Sequence, residues 1–144
     1  MTLILILIVG LQLTAQYSVA ELSSHVDTGK ITVEITGLSS DKGQLMVALY
    51  DSSSNWLKKR MMDKSIAIVN GQATVVFEEV PYGTYGISTY HDENNNGKLD
   101  TGTFGIPKEP YASSRGAKGM FGPPNWKDAI FDVNALTVTE SIKY

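Results

Sequence analysis

The stretch Lys30-Ile31-Thr32-Val33-Glu34-Ile35-Thr36-Gly37 alternates apolar and polar residues with a period of two. A pleated strand sends successive side chains to opposite faces, so Ile31, Val33 and Ile35 share one face and Thr32, Glu34 and Thr36 the other. Asp41-Lys42-Gly43 is a turn signal, and Gln44–Tyr50 resumes the alternation with Leu45, Val47 and Leu49. Two such runs around a short turn read as a hairpin. Downstream, Ile66 and Ile68 mark a third strand after the irregular stretch Asp51–Met62, which has room for one helical turn. Asn70-Gly71 offers the two positive-φ residues of a tight hairpin turn. Gln72–Glu79 returns with Val75 and Phe77 opposed to Thr74, Val76 and Glu78. Val80-Pro81-Tyr82-Gly83 breaks the run before Thr84–His91, where Tyr85, Ile87 and Thr89 share a face. Ala129–Val133 and Ala135–Ile142 close the chain. Short, regularly spaced strands without a long helix predict an all-β fold, an antiparallel β-sandwich of about seven strands.

Between these strands the pattern collapses. Asp92–Trp126 is rich in Gly, Pro and Asn, and loops longer than about 12–15 residues are usually functional or disordered. Phe104, Ile106, Tyr111, Phe121 and Trp126 supply apolar anchors. The expectation is therefore a long, ordered Gly/Pro-rich loop packed over one end or edge of the sandwich.

The loop opens with Asp92-Glu93-Asn94-Asn95-Asn96-Gly97-Lys98-Leu99-Asp100, which follows most of the calcium-loop pattern D-x-[DN]-x-[DN]-G. Calcium is a hard cation that takes six to eight oxygens, and alternate residues of a tight loop can aim them at one point. Asp92, Asn94, Asn96 and Asp100 are the side-chain candidates, and Lys98 would offer its backbone carbonyl. Gly97 stands where the chain turns sharply, and Leu99 is placed to point into the core. The pattern departs at its end, where Thr103 occupies the position of the usual bidentate Glu. Glu109 is the acid that could fold back to replace it. The weakened set predicts a dissociation constant on the order of 10⁻⁴–10⁻³ M. Magnesium fits less well because it rarely uses an all-protein cage. The plain alternative is an Asn/Gly-rich turn with solvated charges.

Other chemistry is thin. His25 lies in the polar lead-in. His91 ends a strand beside two acids, as a hydrogen-bonded terminus or as a general base or metal ligand. No nucleophile motif, zinc-protease motif or phosphate loop is present. Carboxylate pairs can be drawn from Asp92, Asp100, Glu109 and Asp128, as in any acidic protein. Trp56, Tyr82, Tyr90, Tyr111, Phe121 and Trp126 are candidates to line a ligand cleft. Phe121 and Trp126 read first as packing residues, because aromatics carry large apolar area.

Met1–Ala20 has no charged side chain. Its apolar run, Leu3–Leu13, is short of the ~20 residues that a membrane span needs. It fits the apolar core of a signal peptide, with cleavage after Ala15 or Ala20. No Lys or Arg precedes the run, and an uncleaved anchor is the alternative. The expected organisation is a signal peptide over 1–20, a polar lead-in over 21–29 and one sandwich domain over 30–144. The 144 residues include no cysteine, which excludes disulfides, thiol catalysis and thiolate metal sites. Twelve Lys and Arg against fifteen Asp and Glu leave no basic footprint, so no nucleic-acid partner is expected. No membrane contact is expected after signal removal.

Four runs in order carry a family resemblance: Val80-Pro81-Tyr82-Gly83-Thr84-Tyr85, His91–Asp100, Phe104-Gly105-Ile106-Pro107-Lys108-Glu109 and Phe121-Gly122-Pro123-Pro124. Across about Ile31–Tyr144 the chain closely resembles DUF2141, a bacterial family of exported proteins, mainly Gram-negative, with no assigned activity. The turn and strand around Pro81-Tyr82-Gly83-Thr84-Tyr85 also resemble transthyretin-like (prealbumin-like) sandwiches. The resemblance implies a periplasmic or secreted protein. After Glu109, where relatives often carry another Gly and an aromatic, this chain has Pro110-Tyr111-Ala112-Ser113-Ser114. The resulting expectation is a non-enzymatic binding or structural module with a calcium-stabilised loop, acting on an unidentified extracytoplasmic ligand or envelope component. The alternative is a cell-envelope hydrolase using His91 and neighbouring acids.

Overall fold

Strands form where the alternating runs lie. The computed structural model describes residues 26–144; the expected signal peptide and residues 21–25 of the expected lead-in, His25 among them, fall outside the described residues. In chain order the strands are β1 (Thr28–Thr36), β2 (Gln44–Tyr50), β3 (Met62–Ile66), β4 (Ala73–Pro81), β5 (Gly83–Asp92), β6 (Tyr111–Ser113), β7 (Ile130–Val133) and β8 (Thr137–Lys143). One sheet has the order β4-β1-β8, and the other the order β3-β2-β5-β6 with β7 also paired to β5. The all-β sandwich is present, with eight strands. The additional strand is β6, three residues long and inside the stretch without periodicity.

Two expected hairpins are corrected. β1 and β2 do not pair: β1 pairs with β4 and β8, and β2 with β3 and β5. Both strands bury one face, so alternation showed which side of each is wet but not which partner each takes. The Asn70-Gly71 turn is real, with φ of +53° and +69°, but it closes only a single bridge, Val69 to Gln72. The strands on either side of it belong to opposite sheets. Ile68 is buried in the connection after β3, not in the strand. The sandwich is also not antiparallel throughout, because β1 and β8 run parallel.

The core fills from both sheets. Ile31, Val33 and Ile35 of β1, Val75 and Phe77 of β4, and Ile142 of β8 pack in one cluster with Leu45, Val47 and Leu49 of β2, Ile87 of β5, and Phe131 and Val133 of β7. A second, smaller cluster covers part of the outer face of the β5 sheet: Tyr50, Trp56, Ala117 and Ala129, with Trp126 against them. Gly86 lies beneath this lid, where an added Cβ would stand 2.9 Å from Trp126 and 3.0 Å from Trp56. Trp56 is anchored by its ring N–H, which donates to the Pro124 carbonyl at 2.8 Å.

The carboxylate of Asp41 secures the inter-sheet turn, accepting the amides of Gly71 at 2.7 Å and Asn70 at 2.8 Å. Those two hydrogen bonds, Gly71 first, hold its carboxyl below the usual value. A depressed carboxyl stabilises the fold above its unfolded-state pKa and loses that contribution as pH falls through the folded-state value. Asp41→Asn is therefore expected to unfold more easily than the parent at neutral pH, with the gap closing on acidification, in urea melts across pH. Phe77→Ala, at a side chain 1% exposed, is expected to cost about 3–5 kcal/mol in the same measurement.

Candidate metal centre

β5 ends by sending two neighbouring side chains to opposite faces. His91 points inward with Thr89, Ile87 and Tyr85 and is fully buried. Its Nε2 lies 2.6 Å from the Lys42 carbonyl. A carbonyl only accepts, so Nε2 carries the proton and donates. Nδ1 is buried with no partner among the described residues. Asp92 points to the other side, toward the loop. Adjacency in sequence therefore does not make His91 a neighbour of the Asp92 carboxylate.

Asp92 organises the loop that follows it. Its carboxylate accepts the amides of Asn96 at 3.0 Å and Gly97 at 2.8 Å, and the Gln44 side chain at 2.9 Å from the adjacent strand. Burial pushes its pKa up, but the donors from Gln44, Gly97, Asn96 and Asn95 prevail and hold the carboxyl below its ordinary value. Asn95 and Gly97 take φ of +59° and +75°, the left-handed region that Asn and Gly tolerate best. Asn94 Oδ1 accepts the Asn96 amide at 3.1 Å, and Asn96 Oδ1 accepts the Lys98 amide at 2.9 Å. Both Asn side chains then donate to Asp100, at 2.5 Å from Asn94 and 2.9 Å from Asn96. Tyr90 closes the turn from β5, its hydroxyl donating to the Gly97 carbonyl at 3.0 Å.

Glu109 returns to this loop by way of a small finger. Lys108 N donates to Asp100 O at 2.7 Å, Gly102 N to Ile106 O at 2.7 Å, and Thr101 bridges Pro107. Phe104 is at the apex of the finger and Glu109 at its base. The Glu109 side chain is 7% exposed. One of its oxygens accepts the Glu93 amide at 3.0 Å and the other the Asp100 amide at 2.9 Å. One carboxylate thus fastens the two ends of the loop together.

The sequence candidates fare as follows. Asp92, Asn94, Asn96 and Asp100 share one hydrogen-bonded turn, Glu109 is fastened to its backbone, and Lys98 enters through its amide. Among the described residues no three His, Asp or Glu side chains form a metal cluster by themselves, so a cation here would depend on Asn and carbonyl oxygens. Asn94 and Asn96 direct N–H groups at Asp100 while their Oδ1 atoms accept the Asn96 and Lys98 amides, so presenting oxygen to a cation would mean giving up those two turn hydrogen bonds. Leu99 is not a core residue; it is half-buried and lines a surface groove. Asp128 is exposed and bonded to Asn125 at 3.1 Å. Sequence reading missed Gln44, and it offered Tyr90 only as a cleft-lining aromatic, not as a partner of the loop. Tyr90 was legible, two residues before Asp92 on the same strand face. Gln44 was hidden because its strand had been paired with β1.

Several aromatics are also reassigned. Trp126 packs as expected, but Phe121 is 98% exposed and Phe104 95%, so the excursion is only partly held down by its apolar residues. Residues 33–141 match the family described as an uncharacterized protein conserved in bacteria (DUF2141). No curated protein and no solved structure matches the chain. The match covers well over half of the sequence, and the chain belongs to the DUF2141 family. Glu109→Ala removes the partner of two backbone amides and is expected to cost about 1–3 kcal/mol for each amide left buried and unpaired. Hydrogen exchange should show the Glu93 and Asp100 amides losing protection together.

Proposed function

We propose that this member of DUF2141 is an exported, non-enzymatic binding or structural module of prealbumin-like kind, periplasmic or secreted, whose Asp92–Asp100 loop is stabilised by calcium. Its partner would be an extracytoplasmic ligand or envelope component. The observation that carries the reading is Glu109: the acid needed to complete a defective calcium loop is brought back to that loop by the fold, from nine residues beyond Asp100. Asp100 supports it too, because its two oxygens are met by two side-chain N–H donors. A cation would take over the positive role of those donors, with the Asn amides turned to present oxygen at the cost of the two backbone amides they now accept. Calcium would then rigidify the start of the excursion and pre-shape the surface that it presents.

The hydrolase alternative has less support. It asks His91 and an acid to work on one substrate, whereas His91 is in the core and Asp92 on the opposite face of the strand.

Calorimetric titration of the protein with calcium should give saturable heat, and thermal melting should shift upward in calcium relative to EDTA. A ligand that binds only the native state adds about 2.7 kcal/mol at a hundredfold excess over its dissociation constant. Asp92→Ala and Asp100→Ala should abolish both signals. Unchanged calcium affinity in these variants would remove the reading.

A further inference from the structure

Two apolar points project from the molecule beyond the loop. Phe104, at the apex of the finger, is 95% exposed; Met120 and Phe121, in the 119–122 turn, are 88% and 98% exposed. Folding gains nothing from them there, because hydrophobic stabilisation comes from area removed from water, and each aromatic carries about 150–250 Å² of it. Their backbones are also constrained. Phe104 has φ of +62°, a region that bulky side chains avoid. At Gly119 an added Cβ would lie 1.8 Å from the Gly122 carbonyl oxygen, so the second turn closes only without a side chain at that position. Backbone outliers of this kind cluster at ligand clamps and switch regions. Both apices border one groove of about 800 Å³ whose other walls include Tyr90, Leu99 and Tyr111.

The segment that carries them has the opposite net charge to the chain as a whole. Residues 101–127 hold Lys108, Arg115, Lys118 and Lys127 against the single acid Glu109, in a protein of formal charge −3. Glu109 is buried at the finger base, and Arg115 approaches Glu140 at 3.9 Å. Lys108, Lys118 and Lys127 are exposed, with no carboxylate partner among the described residues. Lys108 and Lys118 each stand within a few residues of one apex.

We propose that Phe104 and the Met120–Phe121 turn insert into the interface of an anionic lipid bilayer, with Lys108 and Lys118 at headgroup level. Projecting apolar side chains suit a fluid phase, which needs no pre-shaped pocket to receive them. Lysine stems can lie along the apolar boundary while their ammonium groups reach the phosphates. A second copy docked through the same surface would bring like charges together. The proposal departs from the expectation of no membrane contact after signal removal, which considered the N-terminal apolar run alone. It extends the binding-module reading by naming a surface, and it does not require calcium.

The test uses the full chain with phosphatidylcholine vesicles, with and without phosphatidylglycerol. The N-terminal segment is itself apolar, so the readout must be local. Phe121→Trp is expected to be quenched by brominated acyl chains beyond the level of the parent, whose Trp56 and Trp126 pack in the lid. Phe104→Ser combined with Phe121→Ser should lower vesicle partitioning by on the order of tenfold or more. Lys108→Glu with Lys118→Glu should lower binding to anionic vesicles by on the order of tenfold, and added salt should act in the same direction. No quenching at position 121 would overturn the proposal, as would serine variants that bind like the parent. A concentration-dependent dimer that the serine variants abolish, with no vesicle binding, would also overturn it. Quenching that persists in a chelator supports insertion whether or not the loop binds calcium, so the two readings fail separately.

Discussion

A strand inside a sheet must find partners for its backbone on both edges, since a buried unpaired amide or carbonyl costs as much as a lost hydrogen bond. β5 is the strand on which this requirement shapes the molecule. β2 occupies one edge over Gly86–Asp92. The other edge is completed in pieces: β7 pairs Gly83–Gly86, the Ser114 hydroxyl takes the Ile87 amide at 2.9 Å, β6 pairs Ser88–Tyr90, and the Pro110 carbonyl accepts the His91 amide at 2.9 Å. Three of these four pieces come from the excursion after Asp92. That segment is ordered because β5 uses it as backbone.

The same requirement explains the geometry of the loop. Pro110 must reach the end of β5, so the chain leaving Asp92 has to come back within a short span. It does so as a tight turn followed by the finger, and Glu109, next to Pro110, arrives where the turn begins and ends. Glu109 therefore reaches the loop through strand pairing. Gln44 reaches Asp92 in the same way, since its own strand partner is Asp92.

Much of the sandwich was legible as alternation, because burial on one face leaves a period of two wherever a strand is long enough to show it. β1, β2, β4 and β5 declared themselves in this way. Pairing was not legible, since Val33 and Val47 look alike whether their strands are neighbours or lie across the core. β6 was invisible: three residues cannot show a period, and Pro110 before it reads as a breaker. In the loop, the side chains of Asp92, Asn94, Asn96 and Asp100 could be placed from spacing alone, as a local turn allows. The exposure of Phe104 and Phe121 could not, because composition treats an aromatic as something to be buried. Only the fold shows that no described residue covers them.

The parallel pairing of β1 with β8 joins nearly the first described residues to the last, from Lys30 with Thr137 to Thr36 with Lys143. Closing such a contact means ordering almost the whole chain before the pairing rewards it, which places the fold among the slower ones for its size. Without β8 the β4-β1-β8 sheet is reduced to the β1–β4 pair, and the edge of β1 that β8 covers is left open.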